Sequence, residues 1–218
     1  MLNINSEEIY ALEKHYRISL INSLTGYRSL NMLGTANGSG ITNLCIVSSV
    51  FHLGANPPLV GLVIRPEREH NDTLSNIRST GEYTLNNVLP DWYMWAHQTS
   101  ASYPSGVFEF DTCHFKKHYV NGFKAPFLEA SNIRIGLELR EMIHMEINGT
   151  TLVIGEIVHI LTEDKLVGED GTVDHGKAQT MTVAGLDTYY LPQPVGQLAY
   201  AKPGVEPHSL KTNVNSIV

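Results

Sequence analysis

The sequence predicts a mainly β chain of antiparallel strands with peripheral helices, and three stretches carry that prediction. Leu59–Val60–Gly61–Leu62–Val63–Ile64 is a near-continuous apolar run suited to a central buried strand. Ile133, Ile135, Leu137 and Leu139 alternate with polar neighbours, and Asn148–Gly149 beyond them is the strongest short-range hairpin signal, with residues 151–161 returning. Asn37–Gly38–Ser39–Gly40 separates residues 29–36 from residues 41–48 as a second hairpin turn. Roughly five to seven such strands with about three helices argue for a barrel or sandwich and against a parallel βαβ sheet.

In chain order, Asn5 or Ser6 caps a first helix whose opening turn carries Glu7 and Glu8. Ile9, Leu12, Tyr16 and Leu20 give it one apolar stripe down to Leu24, and Gly26 stops it. Residues 72–78 form a short helix ended by Gly81, and residues 83–88 return as a strand. A helix over residues 91–100 follows Pro90 and carries Trp92, Met94 and Trp95. Glu169–Asp170–Gly171 is a loop, and residues 192–207 form a proline-bearing tail. The domain reading is a helix over residues 1–25 packed on a β domain of residues 26–192, with a tail over 193–218.

Composition removes several function classes. The formal net charge is -7 and the strongest basic stretch is Lys116–Lys117–His118, too short to track a nucleic-acid backbone. No apolar run approaches the roughly 18 residues that would span a bilayer. The amino end, Asn3 to Glu8, is polar and acidic and does not read as a signal peptide. Two cysteines, Cys45 and Cys113, outside any C-x-x-C context read as reduced thiols of a cytoplasmic protein. Ten histidines are scattered; His114 and His118 fall four apart, but without a helical frame they make no metal site.

The chemistry-bearing residues gather between Gly34 and Val88. Gly34, Gly38 and Gly40 lie between two strands, so they are not a dinucleotide fingerprint, which needs a strand leading into a helix. Ser48 and Ser49 lack the G-x-S-x-G elbow, and His52 in the same extended segment is not thereby aimed at either hydroxyl. What remains is a run of small hydroxyls after a buried strand, Arg65 where a strand leaves the sheet, and Thr73 opening a helix. A phosphate monoester wants that donor set: an arginine fork, hydroxyls and helix-start N–H groups. Asp72 caps the helix or orients Arg65. The competing reading pairs Arg65 with Glu67 or Glu69 on the surface.

With these residues in order, the chain from about Leu24 to about Tyr190 resembles the flavin reductase-like family. The resemblance rests on Val47–Ser48–Ser49–Val50, Asn56–Pro57–Pro58–Leu59, Arg65–Pro66, Asp72–Thr73–Leu74–Ser75–Asn76–Ile77 and Thr80–Gly81–Glu82–Tyr83–Thr84–Leu85–Asn86. Val153–Ile154–Gly155–Glu156–Ile157–Val158 and Gly185–Leu186–Asp187–Thr188–Tyr189–Tyr190 extend it. It implies an FMN-binding split β-barrel of antiparallel, Greek-key type, and a homodimer with FMN near the interface. By the same resemblance Asn43, Ser48, Ser49 and Val50 face the isoalloxazine and ribityl chain, while Arg65 and Thr73, with Asp72 beside them, hold the phosphate. His52 and His159 are candidates for the flavin's neighbourhood, and residues 98–104 resemble a loop that borders the site. The implied activity is an NAD(P)H-dependent flavin reductase, with NADH or NADPH as transient co-substrate and a partner oxygenase or redox protein as acceptor. The alternatives are a flavoredoxin-like electron carrier and a non-catalytic split-barrel module, the latter favoured by the acids Glu67, Glu69 and Asp72. No catalytic side chain and no metal are assigned.

Overall fold

The computed structural model describes residues 1–66, 72–104 and 106–211. Its centre is a closed antiparallel barrel of six strands: β1 (Arg28–Ala36), β2 (Thr42–Ala55), β3 (Pro58–Ile64), β4 (Glu82–Asn87), β7 (Ile133–Met145) and β8 (Thr150–Thr162). Two further short strands, β5 (Lys117–His118) and β6 (Phe127–Leu128), pair with each other beside it. The barrel runs β1–β2–β3–β8–β7–β4 and closes when β4 pairs back onto β1, Leu85 opposite Leu33. The β3–β8 and β4–β1 neighbours are the Greek-key crossovers. Strands β9 (Thr182–Ala184) and β10 (Thr188–Tyr190) extend the sheet from the start of β1, with Val183 opposite Arg28. The tail contributes a separate hairpin, β11 (Gln197–Leu198) with β12 (Ser209–Lys211).

Alternation along each strand builds two cores. Leu33 on β1, Leu62 on β3, Tyr83 and Leu85 on β4, Leu137 on β7 and Val153 on β8 fill the barrel. Their in-between neighbours point outward, where Leu30 and Met32 of β1 and Leu44 of β2 meet Phe110 and Val88 in a second cluster. Helix α3 (Asp72–Thr80) caps one end of the barrel, sending Leu74 and Ile77 inside and tying Asn76 Nδ2 to Thr35 Oγ1 at 3.1 Å. Helices α4 (Tyr93–Gln98) and α5 (Glu109–Thr112) lie over the outer cluster.

The amino-terminal helix differs from the sequence reading. It is two helices, α1 (Ser6–Ala11) and α2 (Lys14–Leu24), parted at Leu12, whose backbone is extended. Of the two expected caps Asn5 is the one used, in a capping box with Glu8, but Glu13 then caps a fresh start through Tyr16 N–H at 2.9 Å. The Arg17 guanidinium clamps the break by donating to the carbonyls of Tyr10 and Leu12. Neither helix contains a fully buried residue, but Ile9, Leu12 and Leu20 are half-buried, and Ile9 and Leu20 line one surface groove with Leu2, Ile4, Ile21 and Leu24. Among the described residues no helix is long and apolar enough to cross a membrane.

Candidate functional site

Strand β2 organises the site because it serves two neighbours in turn. Residues Thr42 to Val47 pair with β1, and residues from Val50 onward pair with β3. Between Asn31↔Val47 and Ser29↔Val50 the partner strand advances two residues while β2 advances three. The extra residue makes a β-bulge at Ser48–Ser49, a device that takes one residue out of the ladder and sharpens the local twist. Both serines are half-buried, and among the described residues neither side chain has a hydrogen bond. Val50 turns its side chain into the barrel core, so only its backbone faces outward.

The outer edge of β2 before the bulge has no strand beside it, and helix side chains take that place. Ile46 N–H donates to Thr99 Oγ1 at 3.0 Å, and Leu44 N–H points at Glu109 Oε2 at 3.5 Å. Thr99 ends α4, so the loop over residues 98–104 does border this strand; Tyr103 Oη holds its far side against Gln98. Burial, opposed by the amides of Leu44 and Glu109 itself and reinforced by Asp72, holds the Glu109 carboxyl above its usual range. A carboxyl raised in the folded state loses stability as pH climbs through its folded pKa, because folding then has to bury the ionised form. Glu109→Gln keeps an acceptor for Leu44 N–H and should melt at a higher temperature than the parent at pH 7. The gap should close as pH falls below the ordinary carboxylate range, and a pH series of thermal melts reads both outcomes.

Asn43 and Thr73 were assigned by resemblance to opposite ends of a ligand, yet they touch. Asn43 Nδ2 donates to Thr73 Oγ1 at 3.0 Å, and Cys45 Sγ lies 3.6 Å from the same oxygen. Thr73 is 4% exposed, so its hydroxyl ties the start of α3 to β2. Burial pushes the Cys45 thiol up to about 11, which makes it an unreactive packing group. Asp72 is exposed at the helix start, and Arg65 is exposed where β3 ends. Glu67 and Glu69, the competing partners of Arg65, lie outside the described residues. Among the described residues Arg65 has no carboxylate partner.

The two candidate histidines are not together. His52 is exposed on the far half of β2, while His159 on β8 stands edge-on to Phe123 at 5.1 Å and to Phe127 at 6.5 Å. Among the described residues no cluster of three metal-ligating side chains exists. Sequence reading missed Thr99 and Glu109, which reach β2 only through tertiary packing; no local pattern marks them. It also missed His97 and Tyr189, whose ring nitrogen and hydroxyl meet at 2.6 Å where α4 passes β10.

The donors collected here suit an anionic ligand: an arginine at a strand end with no carboxylate partner among the described residues, two bulge hydroxyls without a hydrogen bond among those residues, and a buried Arg28 Nε with no partner among them. Comparison with known proteins follows that chemistry. Residues 25–182 match the family model described as flavin reductase like domain. A structure from Shewanella frigidimarina NCIMB 400, described as a flavin reductase with split barrel domain, is 44% identical and superposes with a TM-score of 0.88 over 92% of this chain and 100% of that one. Nitrilotriacetate monooxygenase component B from Bacillus cereus shares the fold at 20% identity, TM-score 0.77, over 89% of this chain and 96% of its own. Flavoredoxin of Desulfovibrio vulgaris (Miyazaki F) does so at 18% identity, TM-score 0.67, over 82% and 92%.

Proposed function

Because the chain belongs to the flavin reductase-like family and has its split-barrel fold, we propose that it is an FMN-binding, NAD(P)H-dependent flavin reductase acting as a homodimer in the cytoplasm. The observation that carries this reading is the Ser48–Ser49 bulge, on the same strand as the Asn43–Thr73 tie and near the end of β3, where Arg65 has no carboxylate partner among the described residues. When bound, the flavin supplies the redox chemistry, taking hydride from a nicotinamide. The chain's own residues position and polarise. Backbone N–H groups around Ser48, Ser49 and Val50 are preorganised donors for a ring edge that gains negative charge on reduction, and they need no reorganisation as the charge develops. Arg65 and the start of α3 hold the phosphate, while α4, α5 and residues 98–104 screen the outer edge of β2 from water. No side chain is given an acid–base role.

A second copy of this chain fits the outer face of β2 and β8, where Phe51, Leu53, Val158 and Ile160 are 37–67% exposed. That apolar surface supports the homodimer. A partner oxygenase or redox protein would accept the electrons.

The test is the visible spectrum of the purified protein, then anaerobic addition of NADH and of NADPH. Stoichiometric flavin bands that bleach at turnover rate support the reductase. Bands that persist with both nucleotides would mark an electron carrier, and a colourless protein that FMN cannot reconstitute would sink the flavin reading. Arg65→Gln removes one charge-assisted pair to phosphate, worth about 2 kcal/mol. FMN should bind roughly thirtyfold more weakly to that variant, by fluorescence titration.

A further inference from the structure

Beyond β10 the chain is held at two points and then projects. Tyr190 packs on Tyr27 with ring centroids 4.7 Å apart, and Pro194 lies against Gly176, where an added Cβ would sit 3.5 Å from Pro194 Cδ. Pro192 and Pro194 stiffen the spacer, and Pro203 and Pro207 stiffen the loop that follows. The hairpin β11–β12 then joins no other strand among the described residues. Ala199 N–H donates to the His208 carbonyl at 3.0 Å, which carries the pairing one residue past β11. Its alternation is reversed: Gln197 and Ala199 are half-buried, while Leu198 and Tyr200 are 64% and 90% exposed. Val195, Val205 and Leu210 are exposed as well.

A two-stranded hairpin without a third strand or a covering face is marginal in water. A tail made for solvent is rich in charge and poor in large apolar groups. Between Leu191 and Leu210 the charged residues are Lys202 and Glu206 alone, and charge depletion of this kind marks the covered core of an interface. A loose tether accounts for the prolines and leaves the outward Leu198 and Tyr200 without a reason. The same chain bears a second bare apolar surface. The groove of Leu2, Ile4, Ile9, Leu20, Ile21 and Leu24 has a volume of about 280 Å³, with Leu2 and Leu24 68% and 69% exposed at its rim.

We propose that the β11–β12 hairpin is an exchanged arm: Leu198 and Tyr200 of one copy fill the α1–α2 groove of a second copy, which returns its own arm in the same way. A second copy is the occupant because both surfaces belong to one chain, and a two-fold exchange covers both at once. Neither covers the other within the chain, since Tyr200 and Leu24 both stay largely exposed. The size also suits a dimer. A stable interface takes about 20–30 residues a side, and residues 192–211 with the groove supply about that many. The inference rests on the homodimer reading and names the segment that holds the two copies together.

The experiment uses the full chain with single substitutions. Ile21→Cys and Tyr200→Cys are co-expressed, oxidised mildly and run on a non-reducing gel. The native thiols stay out of the reaction, Cys113 being buried and Cys45 pushed up to about 11 by burial. The arm requires a disulfide-linked dimer from the pair, well above what either variant gives alone. A chain carrying both substitutions that instead runs as an internally linked monomer overturns it. By sedimentation, Tyr200→Asp should raise the dimer dissociation constant about tenfold or more, and Tyr200→Phe should leave it within about twofold. The hairpin stands outside both cores, so Tyr200→Asp should keep the parent's circular dichroism. An undiminished Tyr200→Asp dimer with no cross-link overturns the arm while the homodimer stands. A parent chain that is monomeric at every concentration overturns the homodimer reading itself, and the arm with it.

Discussion

Gly155→Ala should cost the barrel about 3 kcal/mol or more, seen as a lower denaturant midpoint. A Cβ at this position on β8 would lie 2.1 Å from Tyr83 Oη, 2.8 Å from Tyr83 Cζ and 3.1 Å from Leu137 Cβ. Tyr83 is fully buried and crosses the interior from β4, so its ring has no room to retreat. Space for the aromatic ring is thus provided by the missing side chain on the far wall. The hydroxyl adds a second strand to the prediction, because it is buried without a partner. Tyr83→Phe removes that unpaired group and should raise stability by about 1 kcal/mol. It also removes the atom in the tightest conflict, so Gly155→Ala should cost measurably less in the Tyr83→Phe background. A double-mutant cycle in urea reads the coupling; simple additivity would mean that the two residues do not oppose each other across the barrel.

Asn86→Leu should be comparably damaging, about 3 kcal/mol, although the substitution is apolar and the site is fully buried. Asn86 Nδ2 donates to the Met32 carbonyl and to Thr84 Oγ1, both at 3.0 Å, and its Oδ1 accepts Leu128 N–H at 2.9 Å. One amide therefore joins β4 to β1 and to β6. Leucine fills the volume but strands a carbonyl and an N–H inside the protein, where neither can reach water. Loss of stability should come with faster exchange of the Leu128 amide. A leucine variant as stable as the parent, with that amide still protected, would show that these groups find other partners.

Much of this fold is legible in local pattern. The Asn148–Gly149 hairpin, the apolar β3 run and the short helix before Gly81 are all where periodicity and turn chemistry put them, within a few residues. The misses share a cause. Strands β9, β10, β11 and β12 and helix α5 are two to four residues long, too short for a period to register, and tertiary neighbours impose them. The first helix failed differently: its capping signals were read correctly at Asn5, but Leu12 lets the chain restart at Glu13, and stripe-counting cannot see a restart. At the site, Ser48 and Ser49 stood out as small hydroxyls after a strand, yet the bulge that exposes them depends on β1 and β3 offering different registers.

Barrel closure also orders the events of folding. β7 and β8 are joined by a tight turn and can zip locally, on the ~10 μs scale of a hairpin. Strands β3 and β8, and β1 and β4, are neighbours only across long stretches of chain, so their pairing waits for loop entropy to be overcome. Such non-local ladders place folding in the slower, roughly millisecond-to-second regime. The Ser48–Ser49 bulge exists only where β2 changes partner from β1 to β3. A newly made chain thus acquires the Ser48–Ser49 segment, the proposed flavin-facing one, late, after the ladders on both sides are in register.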